Sequence, residues 1–290
     1  MTGVLARAAG AWGGWEAWCA REEPAAGQFW MRTLVCGVAL LQFVWVGAYG
    51  LVDTVYVPWE LGGITHATAH SYVLDDLFGA YGGRVAWGVV ILGLGAALAG
   101  IRMRWALLVA LLAWAQLGHL YGPADRAIDR ILRTALLILV FSDLPTWRDV
   151  RAGRRVKAWP ADLVRCVMVI VYLSAGIGKL AATPRWLSPG ESGALYRAVA
   201  DPLSGNVDPA TAAKAMWLWK AGGVYTIVVE LLSPLLLTRW ARWWAPFAIA
   251  MHVGIAMTMD LGWFPWGMLG LYGGGASLWG AGSSLRRQGQ

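Results

Sequence analysis

Residues 171–195 read VYLSAGIGKLAATPRWLSPGESGAL, an apolar helical run in which Lys179 is the first charge. An ammonium in hydrocarbon is costly unless it snorkels, pairs or faces a wet cavity, so an intramembrane lysine is a functional-site candidate. Lys179 also lies close to the end of its run, where a lysine reaching for headgroups gives a purely structural reading. Tyr172, Gly176 and Lys179 fall at i, i+4 and i+7 on one helical face, and glycines at 176 and 178 would admit a neighbouring helix there. The string GIGK is not a phosphate loop. No glycine precedes Gly178 by five residues, and Leu180 replaces the hydroxyl that would hold magnesium.

Outward from this run the chain stays apolar. Hydrophobic residues make up 58% and charged residues 14% of the 290, with 20 tryptophans; this excludes an ordinary soluble domain. The composition predicts an all-α, polytopic integral membrane bundle, with tryptophans gathered at the two interfaces. Apolar runs place eight transmembrane helices at about 33–52, 85–101, 103–121, 131–145, 162–182, 216–237, 243–261 and from 265 onward. With both termini cytoplasmic, 15 of the 24 Lys and Arg residues face the cytoplasm, as the positive-inside rule requires. The net charge of +7 therefore reads as orientation in a cell membrane, not as a nucleic-acid surface. Residues 1–32 form an interfacial segment with a short helix near Trp12–Trp18, 33–281 the transmembrane domain, and 282–290 a cytoplasmic tail. Cys19, Cys36 and Cys166 form no CxxC pair or metal cluster.

Counting 1.5 Å of rise per residue puts Lys179, Lys220 and Asp260 within about 6 Å of the outer ends of their spans, where they could share an outward pocket. His252 falls about 14 Å deep and Glu230 about 21 Å. That count pairs Glu230 with His252, as an oriented base or as interhelical glue, and separates Glu230 from Lys179. Shielded from water, a lysine amine becomes a usable base. His119 faces the same outer compartment. His66 and His70, with Asp75 and Asp76 nearby, have metal-ligand spacing but no third fixed ligand, so no metal is expected. Arg126, Arg130 and Arg133 share a face that Asp125 and Asp129 can neutralise. Asp208-Pro209 supplies an N-cap followed by proline at the first helical position, and Ser188-Pro189-Gly190-Glu191 has the form of another helix start.

YLSAGIGKL, the following W-L-x-P-G-x-x-x-G-A-L, VELLSPLLLTRW and MHVGIAMTMDLGWFPWGML together resemble the horizontally transferred transmembrane (HTTM) domain family. That family is similar to the membrane part of vitamin K-dependent γ-glutamyl carboxylase. The resemblance covers spans five to eight; the first half agrees by hydropathy alone. It implies that Lys179 is the catalytic base, with His252, Phe264 and Met268 in corresponding places and His119 in the place of an assisting histidine. A carboxylase-like lyase or oxygenase would use a reduced quinone, vitamin K or menaquinol, from an outward-facing site. With only about ten residues after span eight, no counterpart of the carboxylase's large luminal domain is expected, so quinone chemistry at a trimmed site is expected in preference to protein carboxylation. The resemblance also leaves a non-catalytic reading, a membrane factor that matures or exports a small secreted peptide.

Overall fold

The computed structural model describes residues 13–57, 59, 62–64, 77–120, 125–182, 186 and 193–274. The regular elements among these residues are helices apart from one antiparallel ribbon of three-residue strands, β1 (Glu22–Pro24) and β2 (Arg155–Lys157), with Glu23 opposite Val156, and an isolated bridge between Gly205 and Met259. Contacts gather into two compact units, residues 1–164 with 273–290, and residues 165–272.

In the first unit, residues 13–20 are helical, near the expected interfacial helix. Helix α1 (Ala25–Ala48) begins eight residues before the expected span, directly after Pro24. A proline cannot donate the backbone bond a helix interior needs, but it costs nothing just outside a helix start. The α1 stripe Met31, Val35, Ala39 and Phe43 is buried; this spacing is the core face of an amphipathic helix. Helices α2 (Gly82–Leu98) and α3 (Met103–Leu120) form the expected tight hairpin. A side chain at Gly93 would lie 2.8 Å from both the Ala106 oxygen and the Ala110 Cβ, so glycine sets how closely the pair packs. Helix α4 (Ala127–Val140) completes the core with Ile128, Leu132, Leu136 and Leu139. Asp125 takes Arg130 at 2.9 Å and Arg133 at 2.7 Å, while Arg126 lies 3.5 Å from Asp129. The shared arginine face is neutralised as its spacing predicts.

Helix α5 (Trp159–Ala181) carries Lys179. The second unit continues with α6 (Ala194–Ala200), α7 (Pro209–Lys214), α8 (Met216–Leu231), α9 (Ala241–Thr258) and α10 (Phe264–Leu271). Asp208 caps α7 as expected, its carboxylate accepting the Thr211 amide at 2.9 Å. The expected sixth span breaks in two. α8 ends at Leu231, and Ser233–Leu237 winds on as a 3-10 helix. Pro234 explains the break, because it has no N–H to give the Glu230 carbonyl and its ring crowds that oxygen. Glu230 thereby falls in the last turn of α8.

Among the described residues two helices, α1 and α5, are long and apolar enough to cross a membrane, and Gly82–Leu98 and Met103–Gly118 are shorter apolar helices. Outward faces are also apolar: Leu92 is 74% exposed and Leu112 72%. Such faces do not suit water.

Candidate functional site

The site is built on α5, α8, α9 and α10, and the residues that form it all lie within the second unit. Side chains on a helix lean toward its N-terminus, so Lys179 reaches back along α5 over Gly176, one turn earlier. There Gly176 does what its spacing predicts. A Cβ at 176 would sit 3.0 Å from the Glu230 Cβ and 3.2 Å from two Leu231 side-chain carbons, whereas one at Gly178 would meet nothing within 4 Å. Only Gly176 brings α8 close, and the carboxylate it admits belongs to Glu230.

The Lys179 ammonium donates to both Glu230 oxygens, at 2.5 and 2.7 Å. This corrects the depth count, which paired Glu230 with His252. The count assumed that α5 and α8 reach the same outer level, but Ser233 donates to the Val169 carbonyl at 3.4 Å while Glu230 meets the Gly176 turn. The two helices are therefore antiparallel and offset by roughly 6–12 Å, about four to eight residues of rise, relative to their expected ends. The Lys179 ammonium also lies 5.1 Å from the centre of the Trp186 ring, a cation–π distance. Gly223 lets that tryptophan approach, since a side chain there would meet the Trp186 oxygen at 3.0 Å.

His252 has a different partner. Its Nε2 lies 2.6 Å from the Tyr172 hydroxyl, and the Tyr272 hydroxyl donates to the Tyr172 oxygen at 2.7 Å. The Tyr172 hydroxyl is thus shared between Tyr272 and the imidazole, which leaves Nδ1 as the other ring nitrogen to be satisfied. That Nδ1 is buried and has no hydrogen-bond partner among the described residues. Aromatic rings enclose the chain: Trp244 lies 5.6 Å from Tyr172, and Phe264 lies 5.7 Å from His252. Trp244 is itself fixed by a 3.0 Å bond to the Val229 carbonyl, and Met268 is fully buried.

Of the residues expected at the site, Lys179, Glu230, Tyr172, Gly176 and His252 come together on α5, α8 and α9. Lys220 and Asp260 do not join them among the described contacts. Lys220 is exposed, and Asp260 holds its own turn by accepting the Gly262 amide at 3.0 Å. His119 closes α3 in the other unit, and its side chain lies outside the described residues. His66, His70, Asp75, Asp76 and the Ser188–Glu191 helix start also lie outside them. Among the described residues, no three His, Cys, Asp or Glu side chains group to hold a metal. Tyr272 and Trp186 were absent from the sequence-derived set. The one signal for Tyr272 was its place one turn beyond Met268 on the same face, which names no partner; Trp186 lies in a connection, where no periodicity identifies it.

Fold and site thus define an all-α chain with apolar outer faces, a buried ion pair and a tyrosine–histidine chain. Compared with protein-family models, with curated proteins and with solved structures, the chain matches none.

Proposed function

We propose that this chain is an eight-span, HTTM-like protein of the cell membrane whose outward-facing site at Lys179 removes a proton from a reduced quinone or an exported peptide. The observation that carries the reading is the Lys179–Glu230 pair, an acid and a base held at hydrogen-bond distance beneath an aromatic ring. An ammonium is not a base. Away from water, however, the Glu230 carboxylate can take one of its protons, since a neutral pair avoids the cost of two desolvated charges. The amine then accepts the substrate's hydroxyl proton, leaving protonated Lys179 and a neutral Glu230 acid. The residues present suit a quinol: a proton acceptor, the Trp186 ring beside it, and an open α5 surface at Gly178. A bound reduced quinone would supply reaction with oxygen.

The pairing also favours a second reading. A lysine whose charge is neutralised by its neighbour is well explained as interhelical glue in a non-catalytic factor that matures or exports a small secreted peptide.

The test uses protein reconstituted in lipid and supplied in air with reduced menaquinone or vitamin K, with quinone epoxide read by mass spectrometry. The enzyme reading requires epoxide from the wild type and none from Lys179→Ala protein that still inserts and folds. No epoxide from folded wild type overturns it in favour of the second reading.

A further inference from the structure

The α2–α3 hairpin turns through Gly100, Ile101 and Arg102, and its tip forms one wall of a cleft of about 460 Å³ lined by Arg102, Met103, Arg104, Trp105, Asp143 and Leu144. Arg102 and Leu144 are the two non-glycine residues with positive φ among the described residues, at +39° and +46°. Both line this cleft. Left-handed backbone is unfavourable for such side chains, so the fold holds strained residues on both walls of one cavity.

The charges in the cleft are sorted. Arg104 is fixed, its Nε and Nη2 each donating at 3.0 Å to the Val140 and Ser142 carbonyls at the end of α4. Arg102 is exposed, and its side chain makes no hydrogen bond or ion pair among the described residues. Opposite them, Asp143 spends one oxygen on the Lys157 amide at 3.1 Å and keeps the other. A simple anion would suit the arginines and be repelled by Asp143. A zwitterion with a phosphate and a hydrogen-bonding ammonium satisfies all three groups. Its surroundings give the source: Trp105 is 67% exposed and Ile101 60% at the end of two apolar helices, the setting of a tryptophan at a bilayer interface.

We propose that this cleft binds a phosphatidylethanolamine headgroup, with its phosphate on Arg102 and its ammonium on Asp143. The proposal rests on the membrane reading above and is independent of any chemistry at Lys179. Choline, whose nitrogen carries no proton, cannot donate to Asp143, and glycerol headgroups offer it no cation.

The test places the full-length protein in nanodiscs holding equimolar phosphatidylethanolamine, phosphatidylcholine and phosphatidylglycerol with identical acyl chains. Lipid retained after release into mild detergent is counted by native mass spectrometry. Wild type should retain phosphatidylethanolamine about tenfold over the others, the scale of one charged hydrogen bond. Asp143→Asn should remove the preference, and Arg102→Gln should lower retention of all three lipids. Arg102→Gly should also lose the lipid while raising the melting temperature, because glycine relieves the strained turn. Equal retention of the three lipids, or a preference that survives both Asp143→Asn and Arg102→Gln, overturns the proposal. Protein that stays out of the discs overturns the membrane reading and the proposal together.

Discussion

Lys179 and Glu230, 51 residues apart, form a two-pronged ion pair with side chains only 18% and 7% exposed. Removing one partner of such a pair leaves the other charge without compensation. Glu230→Gln should therefore cost on the order of 3 kcal/mol, and Lys179→Met a similar amount. The double variant Lys179→Met/Glu230→Gln should lose much less than the two combined. Denaturation of all four proteins in one detergent measures the coupling, and strict additivity would mean that the pair does not act as a unit.

The two glycines of α5 should respond in opposite ways. Gly176→Ala puts a methyl against Glu230 and Leu231, and overpacking of this kind costs about 1–3 kcal/mol. Gly178→Ala meets nothing within 4 Å and improves helix propensity by up to about 1 kcal/mol. Melting temperatures of the two variants check the contrast; equal destabilisation would mean that α8 does not approach α5 at Gly176.

These glycines also show how much of the fold and site the sequence made legible. Spacing along one helix is a local property, so the shared face of Tyr172, Gly176 and Lys179, the Asp208 cap and the Arg126–Arg133 face could all be read from the chain. The partner of Lys179 could not. Depth counted from the ends of apolar runs assumes level helices, and the offset of α5 against α8 depends on packing at Gly176 and on the break at Pro234. Tyr272 escaped for a related reason, since its role depends on meeting Tyr172 from a hundred residues away. Each expected apolar run overlaps a described helix, but among the described residues only α1 and α5 are long and apolar enough to cross a membrane, and Pro24 and Pro234 moved the ends of α1 and α8.

In the hydrogen-bonded chain Tyr272–Tyr172–His252, the central hydroxyl serves both neighbours. Tyr172→Phe strands a buried imidazole nitrogen and a buried hydroxyl, each costing about 1–3 kcal/mol, whereas Tyr272→Phe removes one bond and strands less. Thermal unfolding should rank Tyr172→Phe as the more damaging substitution. The reverse order would mean that the Tyr172 hydroxyl is not the member shared by both neighbours.

On the short turn Trp147–Arg151, the Thr146 amide and hydroxyl both donate to Asp149 at 2.7 Å, and Arg154 adds a third bond at 3.1 Å. The Thr146 amide bond, followed by its hydroxyl and then Arg154, holds the Asp149 carboxyl down at about 2 from an ordinary 3.8. A depressed carboxyl stabilises the native state fully above the unfolded value, and that contribution fades as pH falls toward the folded one. Stability from this turn should thus be constant near neutrality and decline between about pH 4 and pH 2. Thr146→Ala removes the hydroxyl bond and should move the Asp149 carbon-13 titration toward the ordinary range. An unmoved midpoint would leave the hydroxyl without a part in the shift.

The proposed topology puts the basic segment around Arg148–Lys157 inside and the segment 194–215 outside, because the former carries five Lys or Arg residues in ten positions and cytoplasmic loops retain positive charge. The native thiols Cys19, Cys36 and Cys166 are first replaced by serine or alanine, leaving a silent background. Single cysteines are then introduced at Ala152 and at Leu203, the latter 93% exposed. In intact cells a membrane-impermeant maleimide should label the Leu203→Cys protein alone, and permeabilisation should bring Ala152→Cys up to the same level. Labelling of Ala152→Cys before permeabilisation would invert the orientation and place Lys179 toward the cytoplasm. Equal labelling of both positions would mean that an even number of spans separates them, and α5 would no longer stand as the single crossing between the two loops.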